Sequence, residues 1–137
     1  MLWLISCNKR QPQNLKIDNS IYEKAIDYRN KNQYDSAFFY FNKSKELYEI
    51  EKDTANIGYC LYQMAMAQQT LGDYYSSEET LTELLKFKIP DYIAPAYNQL
   101  GIIAKEQKNY DDAYKYYTST LENAKNEVEK ISPLNNM

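Results

Sequence analysis

The chain has 137 residues, 44% hydrophobic and 26% charged, which suits one folded soluble domain and excludes a disordered chain. It has no His, Gly only at 58, 72 and 101, and Cys only at 7 and 60; this removes His-based acid–base and zinc chemistry, Gly-rich phosphate loops and a disulfide framework. The net charge is −3 with Lys and Arg scattered, so no nucleic-acid footprint is present, and the expectation is a protein that is not an enzyme and carries no cofactor or metal.

In chain order, residues 1–7 (MLWLISC) are apolar, and 8–16 (NKRQPQNLK) form a polar linker containing Pro12. Residues 17–131 carry helical periodicity, and the tail 132–137 (SPLNNM) breaks at Pro133. Six helices are predicted in the periodic region. The first spans about 18–31 and the second about 34–51, with Ala37, Tyr40, Phe41, Ser44, Leu47 and Tyr48 on its buried face. Asp53 or Thr54 caps the third, about 55–70, and Gly72 follows it as a stop. The fourth runs about 74–87 and stops before Pro90. The fifth covers about 92–107, with Pro95 tolerable only in its first turn. The sixth is read as one helix over about 110–130, its apolar stripe running from Ala113 through Tyr117 and Leu121 to Val128 and Ile131. Adjacent carboxylates such as Glu78/Glu79 and Asp111/Asp112 diverge on a helix and read as helix-start charges.

One stretch is written three times: KNQYDSAFFYFNKS at 31–44, LGDYYSSEETLTEL at 71–84 and QKNYDDAYKYYTST at 107–120. Tyr34, Tyr74 and Tyr110 align, as do Ala37, Ser77 and Ala113, and Phe41, Leu81 and Tyr117. Each copy opens the second helix of a pair. The Tyr is expected to pack across the turn, the small residue to allow close crossing, and the large residue to fill the space toward the next pair. A period of this length marks stacked helix hairpins, since one hairpin buries too little surface alone.

These residues resemble the tetratricopeptide repeat family. The third unit carries Tyr97, Leu100 and Gly101, then Tyr110, Ala113 and Tyr117. The first offers Ile21, Ala25, Tyr28, Tyr34, Ala37 and Phe41, and the second Leu61, Met64, Ala65, Tyr74, Ser77 and Leu81. The family's closing Pro is absent from units one and three, with only Pro90 near it in unit two. The 40-residue step from Tyr34 to Tyr74 is long and looks like the repeats of bacterial regulatory proteins. The resemblance implies an all-α fold over 17–131, three helix-turn-helix repeats stacked as a right-handed superhelical solenoid. It also implies a protein or peptide ligand in the concave groove lined by the first helices. The implied groove residues are Tyr22, Ile26 and Arg29 from unit one and Tyr59, Tyr62, Met66 and Gln69 from unit two. Unit three gives Asn98, Ile102 and Lys105. Arg29, Asn98 and Lys105 do not reproduce the spacing of the family's carboxylate clamp, so that ligand is not carried over.

Leu4-Ile5-Ser6-Cys7 before the polar linker resembles the lipobox of bacterial lipoproteins. It implies acylation of Cys7 and anchoring of a periplasm-facing protein to the bacterial envelope membrane. A secretory signal has a basic start and about 7–15 apolar residues, whereas only six residues, none basic, precede Cys7. Two readings stay open: a start further upstream, or a cytoplasmic N-terminus that mimics a lipobox. The leading function is a membrane-anchored binding scaffold; the alternative is the sensor part of a bacterial transcriptional regulator or sensor kinase. SPLNNM is too short to cover the sixth helix, so a homodimer through that C-terminal helix is expected.

Overall fold

The computed structural model describes residues 19–137. The lipobox, Cys7 and the linker 8–16 lie outside the described residues. The described residues form seven α-helices: α1 Ser20–Asn30, α2 Tyr34–Glu51, α3 Thr54–Thr70, α4 Tyr74–Lys86, α5 Pro90–Glu106, α6 Tyr110–Asn123 and α7 Glu127–Asn136. Short connections make consecutive helices antiparallel neighbours. Each helix packs mainly on the next in sequence, and further contacts join α3 to α5 and α5 to α7. This is an all-α stack of helices in a helical-repeat arrangement.

The thrice-written stretch encodes one turn. Asn32, Gly72 and Lys108 take left-handed backbone conformations, with φ of 57°, 81° and 62°. The next amide reaches back to close the preceding helix: Gln33 N–H to the Tyr28 carbonyl at 2.9 Å, Asp73 to Gln68 at 2.9 Å and Asn109 to Ala104 at 2.8 Å. This pattern satisfies carbonyls that the helix end would leave bare. The residue before each aligned Tyr then caps the following helix. Asp73 accepts from the Ser76 amide at 3.1 Å and Asn109 from the Asp112 amide at 3.4 Å. Gln33 has the same backbone shape but makes no side-chain cap. Asp53 caps α3 through the Asn56 amide at 3.2 Å.

Behind the turn, the small residues Ala37, Ser77 and Ala113 are all buried, and so are Phe41, Leu81 and Tyr117. The Ser77 hydroxyl donates to the Ala65 carbonyl at 2.8 Å, which lets a polar side chain occupy the crossing point of α3 and α4. In the α5–α6 pair the crossing is tighter. A Cβ built on Gly101 would lie 2.5 Å from Tyr117 Cε1, so the Tyr117 ring rests on the bare backbone of α5.

Two expectations are corrected. Pro95 is the sixth residue of α5, beyond the first turn, because the helix begins at Pro90 rather than at 92. Pro90 at the first position costs nothing, while Pro95 removes one backbone hydrogen bond. The predicted sixth helix is in fact two. The backbone turns extended at Ala124 (ψ 129°) and a new helix starts behind Asn126, whose side chain accepts from the Glu129 amide at 3.0 Å. Glu129 returns a bond to the Lys125 amide at 2.6 Å, a reciprocal arrangement close to a capping box. Helix α7 runs through Pro133, its one fully buried side chain, and folds back on α5 and α6. The tail therefore does cover part of α6. Val128 and Ile131 belong to α7 and are exposed.

Candidate binding groove

The first helices of successive pairs, α1, α3 and α5, lie side by side, and α7 continues the row next to α5. Five hydrogen bonds donated by side chains tie the row together. Arg29 on α1 donates to the Tyr59 hydroxyl at 3.0 Å and to Gln63 Oε1 at 3.2 Å on α3. Gln99 on α5 donates to the Tyr62 hydroxyl on α3 at 3.4 Å. Asn98 on α5 donates to Ser132 Oγ on α7 at 3.3 Å, and Lys105 to the Asn136 carbonyl at 3.1 Å. Each such bond contributes on the order of 1 kcal/mol. Together they set the spacing of the helices that would line a groove.

The middle of this surface is electrically neutral. None of the 17 residues of α3 is Asp, Glu, Lys or Arg. On α5, ionisable carboxylates and amines occur only at Asp91 near its start and at Lys105 and Glu106 at its end. What faces out between is phenol, amide and thioether. Burial raises the pKa of Tyr62 and Tyr92, and burial with the neighbouring Tyr59 pushes Tyr22 up to about 12, so these phenols are neutral donors and acceptors near neutral pH. Burial also pushes the Cys60 thiol up to about 12, so it is inert and packs as a small apolar residue.

The residues implied by the resemblance fall into distinct settings. Tyr22 and Tyr59 are half-buried in an aromatic cluster with Phe41 and Tyr48, with ring centroids 5.7–6.5 Å apart, so they hold α1, α2 and α3 together as much as they face out. Ile26 packs on the same core, and Ile102 packs on the smaller cluster of Ala104, Ala113 and Tyr117. Arg29 is brought directly to Tyr59. Tyr62 and Asn98 share one cavity of about 160 Å³ with Val128, Glu129 and Ser132 of α7. Met66 is half-buried. Gln69 Oε1 and Asn98 Oδ1 are buried acceptors with no hydrogen-bond partner in the structure. Lys105 is exposed and stands apart from the others, beside Asn136 at the far end of α5. Gln63, Gln99 and Ser132 were not singled out in the sequence. Gln63 lies four residues from Tyr59 on the same helix face, which was a usable signal. Ser132 was hidden in the supposed tail.

Among the described residues, no group of three or more His, Cys, Asp or Glu could hold a metal ion, and no helix is long and apolar enough to cross a membrane. A family model described as tetratricopeptide repeat matches residues 94–130, which covers most of α5, all of α6 and the start of α7. This segment is therefore similar to a tetratricopeptide repeat. No curated protein matches the chain. An all-helical repeat fold of this kind is consistent with a non-catalytic scaffold.

Proposed function

We propose that this protein is a peptide-binding scaffold built of three tetratricopeptide-like units in a right-handed superhelix. Its groove is lined by Tyr22, Ile26 and Arg29, by Tyr59, Tyr62, Met66 and Gln69, and by Asn98, Ile102 and Lys105. The observation that carries the reading is the charge-free α3, whose half-buried Tyr59, Tyr62 and Met66 stand between α1 and α5. Such a surface offers hydrogen bonds and flat apolar area without a fixed charge. It suits an uncharged peptide that lays apolar and hydrogen-bonding groups on the phenols and amides of this row. The LISC stretch adds that the scaffold is held by lipid on Cys7 at a bacterial envelope membrane, facing the periplasm.

Two experiments test this. A photo-crosslinking residue at Met66 in the whole chain should trap a partner, and Asn98→Ala or Tyr62→Ala should abolish the adduct while helicity by circular dichroism stays intact. An adduct that survives both changes would place the binding surface elsewhere. Independently, Cys7→Ser should move the natively expressed protein out of the membrane fraction; unchanged fractionation would remove the anchor.

A further inference from the structure

Arg29 is the one arginine among the described residues, and it is half-buried near the end of α1. Its guanidinium bonds only neutral groups. Nη1 donates to the Tyr59 hydroxyl at 3.0 Å and to Gln63 Oε1 at 3.2 Å, and Nη2 donates to Asn30 Oδ1 at 3.4 Å. No carboxylate among the described residues forms an ion pair with it. On its own helix Asp27 is taken by Lys31 at 2.7 Å, and the adjoining α3 has no Asp or Glu. Among residues 1–18 the one acidic residue is Asp18, which precedes α1 in sequence. The carbonyls of Asp27, Tyr28 and Arg29, which could offset part of the charge, already accept from the Lys31, Gln33 and Asn32 amides. A cation held partly out of water with neutral partners alone is unusual, because burying a charge is costly unless it is paired.

A guanidinium has five N–H groups. Both on Nη1 and one on Nη2 are used here, which leaves Nε–H and the second Nη2–H. Nε and Nη2 share one edge of the planar group. Two N–H groups on one edge make the parallel fork that grips a carboxylate through both of its oxygens. The Asn30 bond on that edge is the longest of the three and goes to an exposed side chain, so it gives way at little cost. Tyr59 and Gln63 meanwhile hold Nη1 from α3 and fix the orientation of the group before any ligand arrives. A fork held in this way loses little freedom on binding. Lys105, another cation of the row, is exposed, and an exposed ammonium is well served by water.

We propose that Arg29 is the anchor for one acidic side chain, Asp or Glu, of the peptide that the groove binds. This rests on the groove reading and adds a charge requirement to it. The ligand is uncharged where it crosses α3 and α5 and carries one carboxylate where it meets α1. A side chain suits the position better than a chain end. Arg29 borders none of the cavities of about 450, 160 and 360 Å³, so its free edge stands on open surface that a chain can run past in both directions. A carboxylate also suits it better than a phosphate group. One guanidinium balances one negative charge, and the second charge of a phosphate would lie unmatched against the charge-free α3.

A library of N-acetylated, C-amidated decapeptides of Ala, Leu, Ser, Gln and Tyr, each with one Glu, is passed over the immobilised whole chain. Retained sequences are remade singly, with Glu or with Gln at that position, and titrated by calorimetry. The Glu form should bind at one per chain, and exchanging its Glu for Gln should weaken it at least about tenfold, as loss of hydrogen bonds to a charged group does. This comparison needs no change in the protein. Arg29→Lys should lose most of the preference, since an ammonium has the charge but no fork, and Arg29→Gln should lose all of it. Both variants should bind the Gln form much as the parent does. Equal binding of the two forms, with Tyr62→Ala still weakening both, overturns the proposal and leaves the groove standing. A Glu preference that survives Arg29→Gln also overturns it. So does a Gln form whose affinity a free C-terminal carboxylate restores, by assigning the fork to a chain end. Retention of no peptide, or binding indifferent to Tyr62→Ala, removes the groove reading and this proposal with it.

Discussion

Gly101→Ala is the sharpest test of how the last helix pair is packed. The added Cβ would stand 2.5 Å from Tyr117 Cε1 and 2.6 Å from Cδ1. Carbon atoms at rest lie about 3.5–4.0 Å apart, so one side must yield by roughly 1 Å. Tyr117 is 1% exposed and its ring lies broadside to α5, so it has no free end to swing away. Overpacking of this kind costs about 1–3 kcal/mol, while Ala in a helix interior gains about 1 kcal/mol over Gly. The net expectation is a loss of up to about 2 kcal/mol. Gly58 supplies the internal control. There the nearest atom is Ile89 Cδ1 at 2.4 Å, the far end of a flexible side chain, with the Tyr92 ring next at 3.1 Å. Gly58→Ala should therefore fall within about 0.5 kcal/mol of the parent, its helix gain offsetting a small adjustment. Urea unfolding followed by circular dichroism measures both. The second arm is Tyr117→Leu, which copies the residue that unit two places at Leu81. In that background Gly101→Ala should cost nothing, a coupling of up to about 2 kcal/mol between neighbours. Equal harmlessness of the two Gly→Ala changes, with no coupling to position 117, would refute the idea that Gly101 exists to seat this ring.

Gln33→Asp should stabilise the fold by about 0.5–1.5 kcal/mol, because Gln33 shares the backbone shape of the capping residues Asp73 and Asn109 yet makes no cap bond; no change in the urea midpoint would count against the shared turn. High pH should unfold the protein together with ionisation of its buried phenols. Tyr22, raised from 10.0 to about 12, and Tyr48, Tyr92, Tyr116 and Tyr117, raised mainly by burial, stay protonated in the fold when the unfolded chain would lose the proton. The stabilisation from Tyr22 is complete below pH 10.0 and fades as the pH climbs toward about 12, and that from the other four is likewise lost as the pH rises above 10.0. Phenolate absorbance and circular dichroism recorded on one titration should therefore change together over that window, and full phenol ionisation with helicity retained would show that these rings are open to solvent.

The parts of this fold that sequence reading reached are the parts written locally. A left-handed residue, a cap, an aromatic, a small and a large residue occupy about ten consecutive positions, and all act within one turn and the crossing behind it. That is why α2 and α4 could be placed to within a residue at each end. Helix α7 was missed for a local reason as well. Pro133 and the Asn-rich tail suggested an ending, and the apolar run through Val128 and Ile131 suggested one unbroken α6. The signal that outranked both was Asn126 with Glu129 three residues on, a helix-start pattern. The groove was legible only as a list of helix faces. Whether Tyr59 meets solvent, Arg29 or Phe41 depends on helices 30 residues away in sequence, and periodicity carries no information at that range. The exposure of Tyr110 was equally out of reach, since its own stretch is nearly the same as the one in which Tyr34 is half-buried.

The row of first helices is held by the same side chains that face the groove, and this couples binding to shape. Arg29 bridges α1 and α3 through two acceptors on α3, at 3.0 and 3.2 Å, so a ligand that claimed one would leave the other in place. The α3–α5 seam has only the Gln99–Tyr62 bond at 3.4 Å among these polar links, near the limit at which such a contact still contributes. A peptide amide donating to the Tyr62 hydroxyl would displace a bond worth well under the usual 1 kcal/mol or so, and would free the Gln99 amide to turn toward the same ligand. Binding in the middle of the groove thus costs the stack little. If the proposed groove is the binding site, Tyr62 would be both the ligand contact and the side chain whose bond to Gln99 the ligand exchanges, while the apolar core shared by α3, α4 and α5 keeps the pairs together.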